Sequence, residues 1–159
     1  MRFLFALAIR IRHFFKRLQH DLRVWAYRRA GAQIGCNVRL HGSLDGTNPQ
    51  LVRIGDNTVI GTGAHLIAHC PVRGALGVTV GKNCFVGYGA IVLAGVTIGD
   101  GCIIGAGSVV TCDIPAGSIA AGNPARVLRP RDPEELARTA AQVARGEPIG
   151  AAEPPQTSG

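Results

Sequence analysis

The sequence predicts an all-β fold, a parallel β-helix built from six-residue repeats, on two observations. Every sixth position from Val80 to Val110 is a β-branched aliphatic residue. The 159 residues include 22 glycines, whereas Phe, Tyr and Trp together make up 5%. A core of small and aliphatic side chains between many tight turns is typical of stacked short strands, not of a sandwich or a helical bundle.

The repeat has a direct structural meaning. A period of six fits neither a helix of about 3.6 residues per turn nor a simple strand of period two, but it fits a short strand followed by a turn. Three such sides close a triangular coil with the aliphatic side chains inside, and stacked coils then share one core. The aliphatic positions are Ile34, Leu40, Ile54, Ile60, Leu66, Val80, Val86, Val92, Ile98, Ile104 and Val110. The mostly small positions, four places later in each hexad from Val80 onward, are Cys84, Ala90, Val96, Cys102, Ser108 and Ile114.

The repeat is interrupted between Leu66 and Val80, which lie 14 positions apart instead of six. This spacing predicts an insertion of eight residues within Cys70 to Thr79. We expect a loop to leave the coil there.

The chain divides into three parts by composition. Residues 1–30 are predicted to form a basic amphipathic helix, 31–130 the β-helix, and 131–159 a short helix, capped by Asp132, followed by a flexible tail. Residues 1–29 contain eight Lys or Arg against Asp21 alone, while the other 130 residues contain nine basic and nine acidic groups. Because the excess of positive charge belongs to one segment, the high pI does not indicate a nucleic-acid partner.

Apolar residues of the N-terminal segment fall on one stripe at helical spacing. They are Leu4, Leu7, Ile11, Phe14, Leu18, Leu22 and Trp25. The stripe has two interpretations that the sequence leaves open: it lies in an anionic membrane surface, or it packs against the open end of the β-helix. The apolar run Phe3 to Ile9 is too short to span a membrane, and no signal-peptide cleavage site follows it. Five scattered cysteines without a CxxC pair favour a reducing compartment. We therefore expect a cytoplasmic protein, peripheral on the inner face of the membrane if the first interpretation holds.

Two segments carry a resemblance to a known family. Residues 95–115 read GVTIGDGCIIGAGSVVTCDIP, and residues 121–129 read AGNPARVLR. Both are similar to the end of galactoside, maltose and polysaccharide O-acetyltransferases, and residues 34–129 as a whole resemble the hexapeptide-repeat acyltransferase family. The resemblance implies a left-handed coil and a homotrimer with active sites between subunits. It also implies transfer of an acetyl or similar group from acetyl-CoA or another acyl-CoA to a sugar or polysaccharide hydroxyl, without a metal.

The resemblance assigns His69 as the general base, at the start of the predicted loop. An exposed imidazole is largely neutral at pH 7 and can accept the hydroxyl proton. His41 aligns with a family asparagine that orients the base. Asn48 or Asp45 in the irregular segment before Ile54 are alternatives for that role, and His65 is a further candidate for support.

The same resemblance implies the groups that bind the acyl donor. The backbone amide of Tyr88, after Phe85-Val86-Gly87, is the candidate donor to the oxyanion, and coenzyme A is expected along Gly87, Tyr88, Ala106 and Thr111. Arg126 and Arg129 match positions near the nucleotide phosphates, whereas Cys112 stands where many relatives have lysine. A nucleophilic Cys70 beside His69 is an alternative to direct transfer.

Two other functions remain open from the sequence. The segment Gly89 to Leu93 is similar to γ-class carbonic anhydrases, zinc enzymes of the same fold. This chain offers His65 and His69, but it has Thr62 and Ile67 where that family's histidine pair is expected. The other alternative is a β-helix that serves as a non-catalytic assembly subunit.

Overall fold

The three-sided coil is present in the computed structural model, which describes residues 18–145. Residues 1–17 and 146–159, which hold the first part of the predicted amphipathic helix and the predicted tail, lie outside the described residues. Short parallel strands, numbered in chain order, stack into three sheets that form the faces of the prism. Helix α1 covers residues 18–29, before the first coil. Helix α2, Pro133–Ala144, follows the last coil and agrees with the predicted C-terminal helix.

Each face collects one strand from each successive coil. Face 1 contains β1 (Gln33–Ile34), β4 (Val52–Ile54), β9 (Val78–Val80) and β12 (Thr97–Ile98). Face 2 contains β2 (Arg39–Leu40), β5 (Val59–Ile60), β10 (Phe85–Val86), β13 (Ile103–Ile104), β15 (Ser118–Gly122) and the antiparallel β16 (Ala125–Pro130). Face 3 contains β3 (Ser43–Leu44), β6 (His65–Leu66), β11 (Ile91–Val92) and β14 (Val109–Val110). A 3-10 helix, Pro49–Leu51, precedes β4.

The core consists of the residues that the six-residue period predicts. All eleven aliphatic positions are buried, and Ile60, Val86 and Ile104 are directly stacked in one ladder of face 2. The small positions Cys84 and Cys102 are also fully buried in adjacent coils, as expected from their spacing. Backbone N–H groups of one coil donate to carbonyls of the next, so the register of each ladder is fixed by hydrogen bonds as well as by packing.

The predicted insertion is a β-hairpin that projects from the coil. It consists of β7 (His69–Cys70) paired antiparallel with β8 (Gly74–Ala75). The carbonyl of Ala68 accepts hydrogen bonds from the N–H groups of Leu76 and Gly77, each at 3.1 Å, and these bonds close the base of the hairpin. The chain then returns to face 1 through Val78, which pairs with Val52.

Helix α1 closes the open edge of the first coil with polar side chains. Arg23 Nη2 donates to the carbonyl of Gly42 at 2.5 Å, and Arg28 Nε donates to the carbonyl of Ile34 at 3.1 Å. His20 Nε2 accepts a hydrogen bond of 2.9 Å from the N–H of Leu40. These contacts satisfy backbone groups that a first coil leaves without a neighbouring strand.

The capping interpretation of the N-terminal helix thus holds for α1, but through a different face from the predicted stripe. Val24 is buried and Tyr27 packs against the core. Leu18, Leu22 and Trp25, the stripe residues that the structure describes, are 44%, 56% and 62% exposed.

Helix α2 closes the last coil through Arg131. This buried guanidinium donates from Nη1 to the carbonyl of Gly101 at 2.8 Å and from Nη2 to Thr139 Oγ1 at 2.5 Å. Glu135 Oε2 accepts from the N–H of Asp132 at 3.3 Å, the reciprocal half of a capping box at the start of the helix. Both ends of the prism are therefore covered.

Close stacking of the turns gives a test of the fold. A Cβ at Gly55 would lie 2.6 Å from the carbonyl carbon of Gly81 and from the N of Lys82, both backbone atoms of the next coil. Gly55→Ala should therefore lower the free energy of unfolding by about 2 kcal/mol or more in denaturant titrations. Gly46→Ala is the matched control, because a Cβ there meets nothing within 4 Å. Equal stability of the two variants would contradict the stacking.

Candidate active site

A cavity of about 630 Å³ lies where face 3 ends and the β7–β8 hairpin begins. One wall is the segment after β3, a second is the hairpin, and apolar side chains of face 3 and its turns form the floor. Its polar lining residues are Ser43, Asp45, Thr47, His65, His69, Cys70, Arg73 and Thr111. The predicted base His69 therefore shares this cavity with the titratable groups of Asp45, His65, Cys70 and Arg73.

His69 is held in this cavity by a carboxylate. Its Nδ1 lies 2.5 Å from Asp45 Oδ2. The carboxylate is 3% exposed, whereas the imidazole is 46% exposed. An ionised carboxylate can only accept, so Nδ1 carries the proton and Nε2 is the nitrogen left free to accept one. Asp45 therefore selects the tautomer of His69 that a general base requires.

Asp45 itself is fixed by the backbone. Its Oδ2 also accepts from the N–H of Ala68 at 2.9 Å, while Oδ1 accepts from the N–H groups of Thr47 at 2.8 Å and Asn48 at 3.3 Å. Burial opposes ionisation, but the bonds from His69 and these backbone groups lower the pKa of Asp45 to about 2. Asp45 is thus a buried anion at neutral pH, with four hydrogen-bond donors.

The coil register brings these two residues together. Leu44 of β3 pairs with Leu66 of β6, and the N–H of Asp45 donates to the carbonyl of Leu66 at 2.9 Å. Asp45 follows β3 and Ala68 follows β6 at the same edge of face 3. His69 then turns into the hairpin directly above the carboxylate, although 24 residues separate the two in sequence.

A second imidazole faces the same cavity. His65 Nδ1 lies 2.5 Å from Ser43 Oγ, between neighbouring strands of face 3. His65 is exposed on β6. Its contact is a hydroxyl and not a carboxylate, so it lacks the charged partner that distinguishes His69.

The hairpin adds a cation and a thiol to the cavity wall. Arg73 stands at the hairpin turn, and Cys70 follows His69 directly. Hydrogen bonds from the backbone N–H groups of Arg73 and Val72, together with the Arg73 charge, lower the pKa of the Cys70 thiol.

The residues predicted to bind the acyl donor lie at two edges of face 3. Thr111 follows β14 and lines the His69 cavity. Gly87, Tyr88 and Ala106 lie at the opposite edge, before β11 and β14, where Gly87 N–H donates to the carbonyl of Ile104 at 2.9 Å. None of these three lines the His69 cavity, so one chain does not bring the predicted base and the predicted oxyanion donor into one pocket.

The two predicted phosphate-binding arginines differ in their surroundings. Both belong to β16. Arg126 is exposed and donates to the carbonyl of the adjacent Ala125 at 2.9 Å. Arg129 forms a bidentate pair with Glu135 at 2.6 and 3.1 Å, and the hydrogen bonds that Arg129 donates to this carboxylate raise the pKa of the guanidinium.

The other predicted supporting residues do not line the cavity. The ring of His41 lies 5.9 Å from that of His20 on α1, measured between centroids. Burial, followed by electrostatic interactions with His20, Arg39 and Arg23, lowers the pKa of His41. Asn48 contacts Asp45 through its backbone N–H. Among the alternatives considered from the sequence, Asp45 is the residue that contacts the base.

Two further properties concern residues 18–145. Within this range no three or more His, Cys, Asp or Glu side chains cluster as a metal site would require. No helix in the same range combines the length and the hydropathy needed to cross a membrane.

Comparison with known proteins identifies the repeat and the fold. Residues 77–112 match the family described as bacterial transferase hexapeptide (six repeats). No curated protein matches the chain. A hexapeptide-repeat-containing acetyltransferase from Vibrio cholerae is 20% identical, with a TM-score of 0.57 over 71% of this chain and 81% of the other. A structure of the same Vibrio cholerae acetyltransferase is complexed with acetyl-coenzyme A.

Two other solved structures are closer in sequence. A maltose O-acetyltransferase from Clostridium difficile 630 is 25% identical, with a TM-score of 0.52 over 71% of this chain and 76% of the other. A serine acetyltransferase from Neisseria gonorrhoeae is 28% identical, with a TM-score of 0.57 over 64% of this chain and 40% of that enzyme's length. These similarities confirm the predicted left-handed β-helix of hexapeptide repeats and the resemblance to acetyltransferases that use acyl-coenzyme A.

The buried carboxylate predicts a pH dependence of stability. The pKa of Asp45 is about 2 in the folded chain and rises to about 4 on unfolding. The ionised Asp45 therefore contributes about 2 kcal/mol to the free energy of unfolding. This contribution is complete above about pH 4 and is lost as the pH falls through about 2. The difference in unfolding free energy between the wild type and Asp45→Asn should shrink over that range. Glu134→Gln, at an 85% exposed carboxylate, is the control. If the difference in unfolding free energy between the wild type and Asp45→Asn did not change with pH, Asp45 would not be a buried anion with a lowered pKa.

Proposed function

We propose that this chain, with the fold and repeat of hexapeptide acetyltransferases, is an acyl-CoA-dependent O-acyltransferase with His69 as general base. It moves an acetyl or similar acyl group to a hydroxyl of a sugar or polysaccharide precursor. The observation that supports the proposal most is the hydrogen bond between His69 Nδ1 and the buried Asp45 carboxylate in an open cavity.

The arrangement suits transfer from a thioester to an alcohol. Nε2 of His69 takes the proton as the acceptor oxygen attacks the thioester carbonyl, and the oxyanion then collapses to release coenzyme A thiolate, which recovers the proton. The Asp45 carboxylate holds the imidazole in position and stabilises the imidazolium that forms. Asp45 is therefore a positioning residue and His69 the catalytic one.

The polar lining of the cavity supports a polyhydroxylated acceptor. Ser43, His65 and Arg73 present a hydroxyl, an imidazole and a guanidinium around His69. Hydroxyls of a sugar can exchange hydrogen bonds with such a set, while Leu93 and Leu76 offer apolar surface for the ring faces. The acceptor can be identified by incubating the protein with acetyl-CoA and each of a panel of sugars, and measuring the free coenzyme A thiol that is released.

A homotrimer would complete the site. The predicted oxyanion donor, the Tyr88 amide, lies at the edge of face 3 opposite His69, and the Tyr88 side chain is 63% exposed. If three prisms pack side by side, the Tyr88 edge of one subunit meets the His69 edge of the next, and coenzyme A lies in the groove between them. The separation of the two edges within one chain supports this shared site.

The first test removes the base. His69→Ala should lower turnover by at least about 100-fold, because no other described residue of the cavity is an imidazole bound to a carboxylate. Coenzyme A affinity, measured by calorimetry, should stay within about twofold, since the imidazole acts on the acceptor hydroxyl. Val72→Ala, at a 92% exposed position of the hairpin turn, is the control and should keep full turnover. Undiminished activity of His69→Ala would exclude it as the base.

The second test asks whether subunits share the site. Ala106→Trp, at an exposed position on the Tyr88 edge, should block the donor groove, and His69→Ala lacks the base. Each variant alone should be inactive. When equal amounts of the two variants are mixed and refolded, about a quarter of the wild-type activity should return. In random assembly, about one site in four combines an intact His69 from one subunit with an intact Tyr88 edge from its neighbour. The mixture should have about three times the 16.6 kDa mass of one chain in light scattering. No recovery in a correctly assembled mixture would contradict a shared site.

A further inference from the structure

We propose that the outer face of α1 is a docking surface for an anionic lipid bilayer. The face consists of Leu18, Leu22 and Trp25, named here the α1 stripe. It is separate from the His69 cavity and does not depend on the proposed reaction.

The α1 stripe is exposed although its residues are large and apolar. Leu18 is 44%, Leu22 56% and Trp25 62% exposed. At about 100° per residue, the three fall within an arc of about 60° on one side of the helix. Three such residues on one face of a short helix form a contiguous patch, which in a soluble domain marks an interaction surface.

Within residues 18–145, the fold does not pack against this face. Val24 and Tyr27 pack on the core from the other side of the helix, and Arg23 and Arg28 donate to the carbonyls of the first coil from the same side. Since α1 is anchored by that side, the stripe points away from the prism. Docking there would leave the capping contacts intact.

The charge around the stripe favours an anionic surface. The Arg29 guanidinium lies 6.0 Å from the centre of the Trp25 ring, on the stripe side of the helix. In the sequence before α1, five Lys or Arg and no acidic residue occur in residues 1–17, and Leu4, Leu7, Ile11 and Phe14 continue the same helical spacing. Basic side chains beside Trp and Leu are typical of helices that lie in the headgroup region of a bilayer.

A second copy of this chain fits the stripe less well. Residues 30–159 carry nine basic and nine acidic groups, so the rest of a second copy has no net negative charge to offset the positive charge of this segment. Two such segments facing each other would repel. An anionic bilayer supplies both the apolar interior and the negative surface.

Trp25 gives the test its readout, because it is the one tryptophan in the sequence. Full-length protein is mixed with vesicles of phosphatidylcholine containing about 30% phosphatidylglycerol, or of phosphatidylcholine alone. We expect Trp25 emission to shift to shorter wavelength, and the protein to sediment, with the anionic vesicles, and both effects to weaken with added salt. Bromine-labelled lipids should quench the emission.

Leu22→Glu should lower partitioning onto the anionic vesicles by at least about tenfold. Leu128→Glu, at a 65% exposed site on β16, adds the same charge elsewhere and should bind within about twofold of the wild type. Circular dichroism confirms that both variants fold.

Three results would overturn the proposal. Absence of sedimentation would exclude docking on lipid. If Leu22→Glu bound anionic vesicles as strongly as the wild type, a segment other than the α1 stripe would be responsible for the binding. Trp25 emission that is already at short wavelength without vesicles, and shielded from soluble quenchers in the assembled protein, would show that a second subunit covers the stripe.

Discussion

Coil-to-coil hydrogen bonding fixes the position of each side chain in the β-helix. Backbone N–H groups that point along the axis donate to carbonyls of the next coil, as Val59 N–H does to Cys84 and Phe85 N–H to Cys102. A strand of two residues is too short to be stable alone, so the ladder and the buried aliphatic column support one another. Because the register cannot slip without exposing the core, groups at a prism edge are held rigidly.

At the first coil this bonding leaves carbonyls without a donor from a preceding coil, and arginines supply donors there; a further arginine does so near the last coil. Arg23 and Arg28 of α1 satisfy carbonyls of the first coil, and Arg131 satisfies the carbonyl of Gly101 at the last. Guanidinium groups suit this task because several donors reach separate carbonyls from one side chain. Because Arg23 and Arg28 face the first coil, the apolar stripe with Leu22 and Trp25 is left on the outer face of α1.

The period of six predicted the coil, its core and the place of the hairpin, because each depends on local spacing. The partner of His69 was less predictable. Asp45 meets it only because Leu44 pairs with Leu66, and this register departs from multiples of six. Aligning those two leucines would have favoured Asp45 over His41. The contacts of Arg23 and Arg28 with the first coil were also not predictable. From the charge pattern alone, arginines on a helix are expected to face water, and the sequence does not show that carbonyls at the sheet edge lack donors.

The fold sets the tautomer of the proposed base. It does so by holding the exposed His69 imidazole against the buried Asp45 carboxylate at a rigid edge of the prism. The most direct measurement is the tautomeric state of His69, from long-range ¹H–¹⁵N NMR spectra of histidine-labelled protein above neutral pH. The proton should reside on Nδ1, with Nε2 unprotonated, and this preference should be lost in Asp45→Asn. A proton on Nε2 in the wild type, or a rapidly averaged ring unaffected by Asp45→Asn, would contradict the account.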